Sequence, residues 1–87
     1  MTFDFWEALK HLLKWKKLAR AGWNGKDMFV YYVPQAMYPT TTEPAVEMFW
    51  KEVEYWHYLA MKTVTWLVVC WSIDTTSALA TDWYVVE

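Results

Sequence analysis

Cysteine, glycine and cationic charge are all scarce in this chain. Cys70 is the only cysteine among 87 residues. That excludes an internal disulfide and a cysteine-based zinc site, and it suits a reducing cytoplasm. His11 and His57 are the only histidines and lie far apart in sequence, so no metal site is expected. Eight Lys plus Arg stand against ten Asp plus Glu, for a formal net charge of −2. A chain without an overall basic field is not built to grip DNA or RNA backbones, and only a local cationic pocket stays open to it. Long apolar runs are missing as well. The uncharged stretch Thr63 to Ile73 is about half of the ~20 residues that a membrane-spanning helix needs. The opening residues, Met1 to Glu7, put acidic side chains first and do not read as a secretory signal. A soluble protein with no membrane partner is expected.

Length is the other shortage. Residues 1–87 make one domain, near the lower limit at which a single core supports a fold. Doubly wound nucleotide folds and large barrels are excluded on size. Against these shortages stands a surplus of rings: eight Trp, six Tyr and four Phe. So small an interior cannot hide eighteen rings. Many must lie at a surface covered by a subunit, a ligand or a partner, and a homo-oligomer with aromatic interfaces is expected.

Along the chain, Asp4 can cap a helix, and Glu7 three residues on completes a capping-box pattern. Phe5, Trp6, Leu9, Leu12 and Leu13 recur at helical spacing. The stripe fails at Lys16-Lys17, which places the helix end near Lys14 or Trp15; propensity alone favours a helix running on to Ala21. The only two glycines fall in Gly22-Trp23-Asn24-Gly25-Lys26, a turn that carries the Asn-Gly hairpin signal. Met28 to Val33 reads as a strand ended by Pro34. Gln35 to Pro44 reads as a loop, and Val46 to Leu59 is open between helix and strand. Val64 to Trp71, β-branched and aromatic, reads as a buried strand. Asp74 caps a short helix to Ala80, and Trp83 to Val86 closes the chain as a last strand. The fold class is α+β: an N-terminal helix packed on a small antiparallel sheet, with a short helix before the last strand.

Several of these strings resemble a known family. Leu18-Ala19-Arg20-Ala21-Gly22-Trp23-Asn24-Gly25-Lys26 is similar to the A-R-x-G-W-N-G-K signature of the second Thoeris anti-defence family of phages and bacteria. Glu7-Ala8-Leu9, Val33-Pro34, Glu43-Pro44 and Met61-Lys62-Thr63 resemble its E-A-L, V-P, E-P and M-K-T in the same order. Trp71, Leu79-Ala80 and Asp82-Trp83 resemble its W…L-A-x-D-W without a gap. The likeness covers nearly the whole chain and is weakest between Ala45 and Glu54. There are departures. The family has Gly where this chain has Trp15, and a D-G turn where it has Thr65-Trp66. Trp56 to Ala60 and Asp74 to Ser77 also differ, so contacts made by those residues do not carry over.

What the resemblance implies is sequestration without catalysis. Members are sponges that hold the cyclic ADP-ribose isomer of Thoeris signalling, glycocyclic ADP-ribose, away from its effector in the host bacterial cytoplasm. Some relatives also take cyclic dinucleotides at a separate site. The implied assembly is a homotetramer with pockets shared between subunits, and no cofactor. The ligand carries an adenine and a doubly charged pyrophosphate. Trp23, Phe29, Tyr31 and Trp83 can supply stacking faces; Asn24, Lys26, Arg20 and Lys62 can supply donors and charge. Backbone N–H groups at the Gly22 or Gly25 turn, or at the short helix after Asp74, can add anion contacts.

Each residue also has an ordinary reading. Trp83 is as suited to anchoring a core or interface as to touching ligand. Lys26 and Lys62 can be solvated charges, and a strand-borne Arg20 can pair with Asp82 or Glu87. Trp66, Trp71, His57 and Cys70 read as packing or structural residues. Two other functions compete with the sponge: a small protein-interaction module, and a hydrolase of the signal. The hydrolase is weakest, because the sequence shows no nucleophile with a base and no carboxylate pair.

Overall fold

The computed structural model describes residues 1–23, 27–39, 41–49 and 51–87. The chain opens with helix α1 (Phe5–Leu12), started as its sequence predicts: Asp4 Oδ1 accepts the Glu7 N–H at 2.9 Å. Its end is a Schellman closure, with the Lys16 N–H on the His11 carbonyl at 3.1 Å and the Trp15 N–H on the Leu12 carbonyl at 3.0 Å. Trp15 takes the left-handed position of that motif at φ 69°. The turn expected where the family has glycine is therefore kept. A non-glycine residue there costs about 1–2 kcal/mol. Because the helix stops here, Lys17–Arg20 is free to form strand β1, and the extended-helix reading is excluded.

Strand β2 (Phe29–Val33) follows the glycine turn; Asn24, Gly25 and Lys26 lie outside the described residues. The loop expected from Gln35 to Pro44 is instead strand β3 (Ala36–Pro39) leading into helix α2 (Glu43–Phe49). The open segment after it resolves as strand β4 (Glu52–Tyr55) and strand β5 (Tyr58–Lys62). β3 and β4 pair antiparallel from Ala36↔Tyr55 to Pro39↔Glu52 as a separate two-stranded ribbon. Pro39 is tolerated because it ends its strand.

The expected buried strand from Val64 to Trp71 needs correcting. Only Val68–Trp71 is strand β6, and it is an edge strand with Val68, Val69 and Cys70 exposed. Val64 to Leu67 turn the chain, closed by Thr63 N–H to Leu67 O at 2.8 Å and Trp66 N–H to Thr63 O at 3.1 Å. Trp66 is left-handed at φ 66°, so the β5–β6 hairpin survives the loss of its D-G pair. Helix α3 (Thr75–Leu79) and strand β7 (Trp83–Val86) complete the chain as predicted.

The main sheet runs β6-β5-β2-β1-β7, all antiparallel. Helix α1 covers one face. There Ala8, Leu12, Leu18, Val30 and Trp83 are fully buried, with Phe5, Trp23, Trp71, Met61 and Val85 packed around them. Trp83 lies at the centre of a ring cluster, with centroids 5.2 Å from Phe5, 5.4 Å from Trp23 and 6.0 Å from Trp71. The pairings Lys17↔Val86, Ala19↔Tyr84, Phe29↔Lys62 and Lys62↔Val68 place those side chains on the opposite face. No helix of the main core covers it among the described residues.

Candidate functional site

The uncovered face follows from strand alternation. In β2, Val30 points into the core, so Phe29 and Tyr31 point out; in β5, Met61 packs towards the core and Lys62 points out. In β1, Leu18 is core and Lys17 faces away. These outward residues, with Val68 of β6, line a cleft of about 450 Å³ that Trp15, Tyr32 and Trp66 complete. A cleft of this size falls in the range of about 300–1,000 Å³ that small-molecule sites occupy.

Two lysines give the cleft its charge. The Lys17 ammonium lies 5.3 Å from the Phe29 ring centroid and that of Lys62 5.8 Å from it. Lys62 is only 5 % exposed. Its Nζ donates to the Asp27 carbonyl at 2.7 Å and sits 3.8 Å from the centre of the Trp66 ring, a close cation–π contact. Lys62 is thus a fixed cation, held by one backbone acceptor and two rings, with further donor capacity on its ammonium.

A second cavity of about 330 Å³ shares the same side of the sheet, lined by Ala19, Arg20, Ala21, Trp23, Asp27, Met28, Tyr84 and Val86. The expected site residues Asn24 and Lys26 lie outside the described residues. The edge of this second cavity is fixed by Asp82. The carboxylate accepts Arg20 Nε–H at 2.8 Å through Oδ1 and the Gly22 N–H at 2.8 Å through Oδ2. The Arg20 guanidinium holds the Asp82 carboxyl below its ordinary range; burial pushes the other way less strongly, and the Gly22 amide adds to the lowering. A Cβ on Gly22 would stand 2.9 Å from Oδ2, so any larger residue here would have to shift the carboxylate that Arg20 and Gly22 hold.

The expected site residues therefore divide. Phe29, Tyr31 and Lys62 converge in the first cleft, and Trp23 lines the second cavity while edging onto Trp71 and Trp83. Trp83 is 0 % exposed, and its indole N–H donates to the Ser77 carbonyl at 3.0 Å. Of its two readings the packing adopts the core anchor, and it presents no face to a ligand. Asp74 occupies the N-cap position of α3 without a side-chain capping hydrogen bond and lines neither cavity; the Ser77 side chain, first among several influences, holds its carboxyl below the usual range. Arg20 is committed to Asp82, as its strand position allowed.

Trp15, Lys17, Tyr32, Trp66 and Tyr84 were not singled out for these sites from sequence. Lys17 was findable once β1 was taken as a strand, since it alternates with Leu18. Trp15 and Trp66 marked themselves only as departures at two turns. Among the described residues no three His, Cys, Asp or Glu side chains converge as metal ligands. No described helix is long and apolar enough to cross a membrane.

Fold and cleft together define a small α+β domain whose open sheet face has the chemistry of a ligand site. The profile described as Tad2-like, a Thoeris anti-defense 2-like domain, matches residues 3–86, and the chain belongs to that family. Membership supports a role in Thoeris anti-defence and fits binding of a small-molecule signal. No curated protein matches the chain.

Proposed function

We propose that this protein is a non-enzymatic sponge that sequesters glycocyclic ADP-ribose in the host bacterial cytoplasm and returns it intact on denaturation. The observation that carries this reading is the cleft of Phe29, Tyr31, Lys17 and Lys62: two cations beside flat rings, the pairing an adenylated dianion calls for. The base stacks on the aromatic wall, at about 1–3 kcal/mol per base. The pyrophosphate takes charge-assisted hydrogen bonds from the lysines. A sponge needs nanomolar affinity, about −12 kcal/mol. One ring and two ammonium groups on an open sheet face fall short of that, so a second chain closes the cleft.

That closure is a homotetramer with shared pockets. It is supported by the apolar surface left over: Trp6, Trp56, Leu67, Val68, Val69 and Leu79 are all exposed. The β6 edge carries none of the charges or prolines that guard a free strand. The same surface favours one competing reading, an interaction module that docks a protein.

One experiment separates the readings. The protein is incubated with glycocyclic ADP-ribose, passed through a desalting column and heat-denatured, and the ligand is quantified. Intact ligand released only on denaturation is the expected result. Degraded ligand means a hydrolase, and ligand free throughout means an interaction module. A single-chain mass by light scattering, in the presence and absence of ligand, would remove the shared-pocket part of the proposal.

A further inference from the structure

Three described residues other than glycine adopt left-handed backbone: Trp15 at φ 69°, Asp27 at φ 61° and Trp66 at φ 66°. They come from three separate turns, yet all three meet at one cleft. Trp15 and Trp66 line it, and the Asp27 carbonyl holds the Lys62 ammonium that lines it. Left-handed positions select glycine, then Asn and Asp, because most other side chains are strained there; Asp27 is an accepted occupant and the two tryptophans are not. Tryptophan brings to such a turn nothing that the turn needs. It is normally kept where burial of its large apolar surface repays it. Here neither indole is buried: Trp15 is 67 % exposed and Trp66 is 78 % exposed. Strain of this kind, concentrated around one cavity and not repaid by packing, marks a functional site.

The contacts show what the indoles are set up to meet. The Trp66 ring has the Lys62 ammonium on one face, 3.8 Å from its centre, and most of its remaining surface is in solvent. Trp15 rests a tilted ring on Tyr32 at 5.7 Å and otherwise stands free. We infer that Trp15 and Trp66 are ligand-contacting residues, two aromatic walls that take the flat base of an anionic ligand while Lys17 and Lys62 meet its phosphates. This rests on the sponge reading of the cleft and extends it. The two indoles add projecting walls to the aromatic floor that Phe29 and Tyr31 supply from the sheet.

Replacement of each by glycine tests the inference, because strain and binding then move in opposite directions. Trp15→Gly and Trp66→Gly relieve the left-handed backbone, so the melting temperature should hold or rise by up to about 4–8 °C. Dissociation of glycocyclic ADP-ribose, followed by equilibrium ultrafiltration, should worsen at least tenfold in each variant. Trp66→Phe, which keeps a ring on the cation, should recover part of that loss. Unchanged affinity in both glycine variants overturns the inference. So does an affinity loss that only tracks a lowered melting temperature. A change of oligomeric mass with binding intact also overturns it, because the indoles would then be covering a subunit interface. If the wild-type protein itself binds no glycocyclic ADP-ribose, the sponge reading fails and takes the two walls with it. If the wild type binds and both glycine variants bind as well, only the present inference fails.

Discussion

Replacing Trp83 by Phe separates the two readings that the sequence allowed for this residue. Trp83 has no exposed surface, three aromatic neighbours within 6.0 Å of its centroid and a 3.0 Å hydrogen bond from its indole to Ser77. Truncating a core Trp to Ala costs about 3–5 kcal/mol, and keeping a six-membered ring should recover most of that, leaving about 1 kcal/mol from the vacated space. The Ser77 carbonyl loses its indole donor and keeps only a long 3.4 Å contact from the Ala80 N–H. A poorly paired buried acceptor adds about 1 kcal/mol. The total of about 2 kcal/mol corresponds to a melting temperature lower by about 8–16 °C in a domain of this size. Thermal unfolding followed by near-ultraviolet circular dichroism measures the shift, and ligand retention measured at 10–15 degrees below the variant's onset should equal that of the wild type, at roughly the same affinity. A shift under about 3 °C would contradict the core assignment. Lost retention in a variant that melts normally would restore Trp83 to the ligand site.

Three further substitutions follow from the same geometry. Asp82→Asn removes a carboxylate whose folded pKa is depressed, chiefly by Arg20. Its stabilisation is present above the ordinary carboxyl pKa near about 4 and is lost as pH falls through the lower folded value. Urea unfolding should show the variant about 1–2 kcal/mol weaker at pH 7, a value already reduced for the partial exposure of the pair. That gap should close under acid, and a gap constant to pH values near about 2 would refute the linkage. Gly22→Ala forces a Cβ to 2.9 Å from Asp82 Oδ2 and should destabilise by about 1 kcal/mol; the gain usual for Gly→Ala at an unstrained site would show that the carboxylate yields freely. Lys62→Met keeps the apolar stem and removes the cation. It should weaken ligand retention more at 20 mM than at 500 mM salt, in line with Debye lengths of roughly 20 and 4 Å, and a salt-independent loss would exclude a phosphate contact.

Local chemistry made much of this structure legible in the sequence. Asp4 and Glu7 announced the start of α1, and Lys16-Lys17 announced its end, because capping and amphipathic spacing are decided within one turn. Met28 to Val33 was legible as a strand from its β-branched and aromatic content, but its unbroken apolar run does not say which face is buried; the burial of Val30 does, and it sets Phe29 and Tyr31 on the other face. The pairing of Arg20 with Asp82 was open once Arg20 lay on a strand. The failures are all non-local. The whole of Gln35 to Pro44 reads as a loop because Pro39, Pro44 and Thr40 to Thr42 signal turns, while the partner that makes Ala36–Pro39 a strand, Glu52–Tyr55, lies beyond an intervening helix. Val64 to Trp71 looked buried because composition reports apolarity and not strand order; β6 falls at the edge of the sheet. Trp15 and Trp66 were read as lost glycines. The backbone kept both left-handed turns because their closing hydrogen bonds, Lys16 to His11 and Thr63 to Leu67, are set by the surrounding chain.

Stability and binding are written into the same strands on alternate residues. Leu18, Val30 and Met61 face α1, while Lys17, Phe29 and Lys62, each next in sequence to one of them, face the cleft. A slip of one residue in register would exchange the two sets, placing lysines in the core and aliphatic side chains in the cleft. The buried set therefore specifies which residues line the cleft, and the helix that covers one face leaves the other available. Because neighbouring residues point to opposite sides of the sheet, substitutions on the two faces share few contacts and should act nearly independently. Leu18→Ala should lower stability by about 2–5 kcal/mol while the protein that stays folded keeps its affinity. Lys17→Met should do the reverse. Coupling well above about 0.5 kcal/mol between that pair in a double-mutant cycle would mean that the core does not merely hold the cleft in place but changes shape with its occupancy.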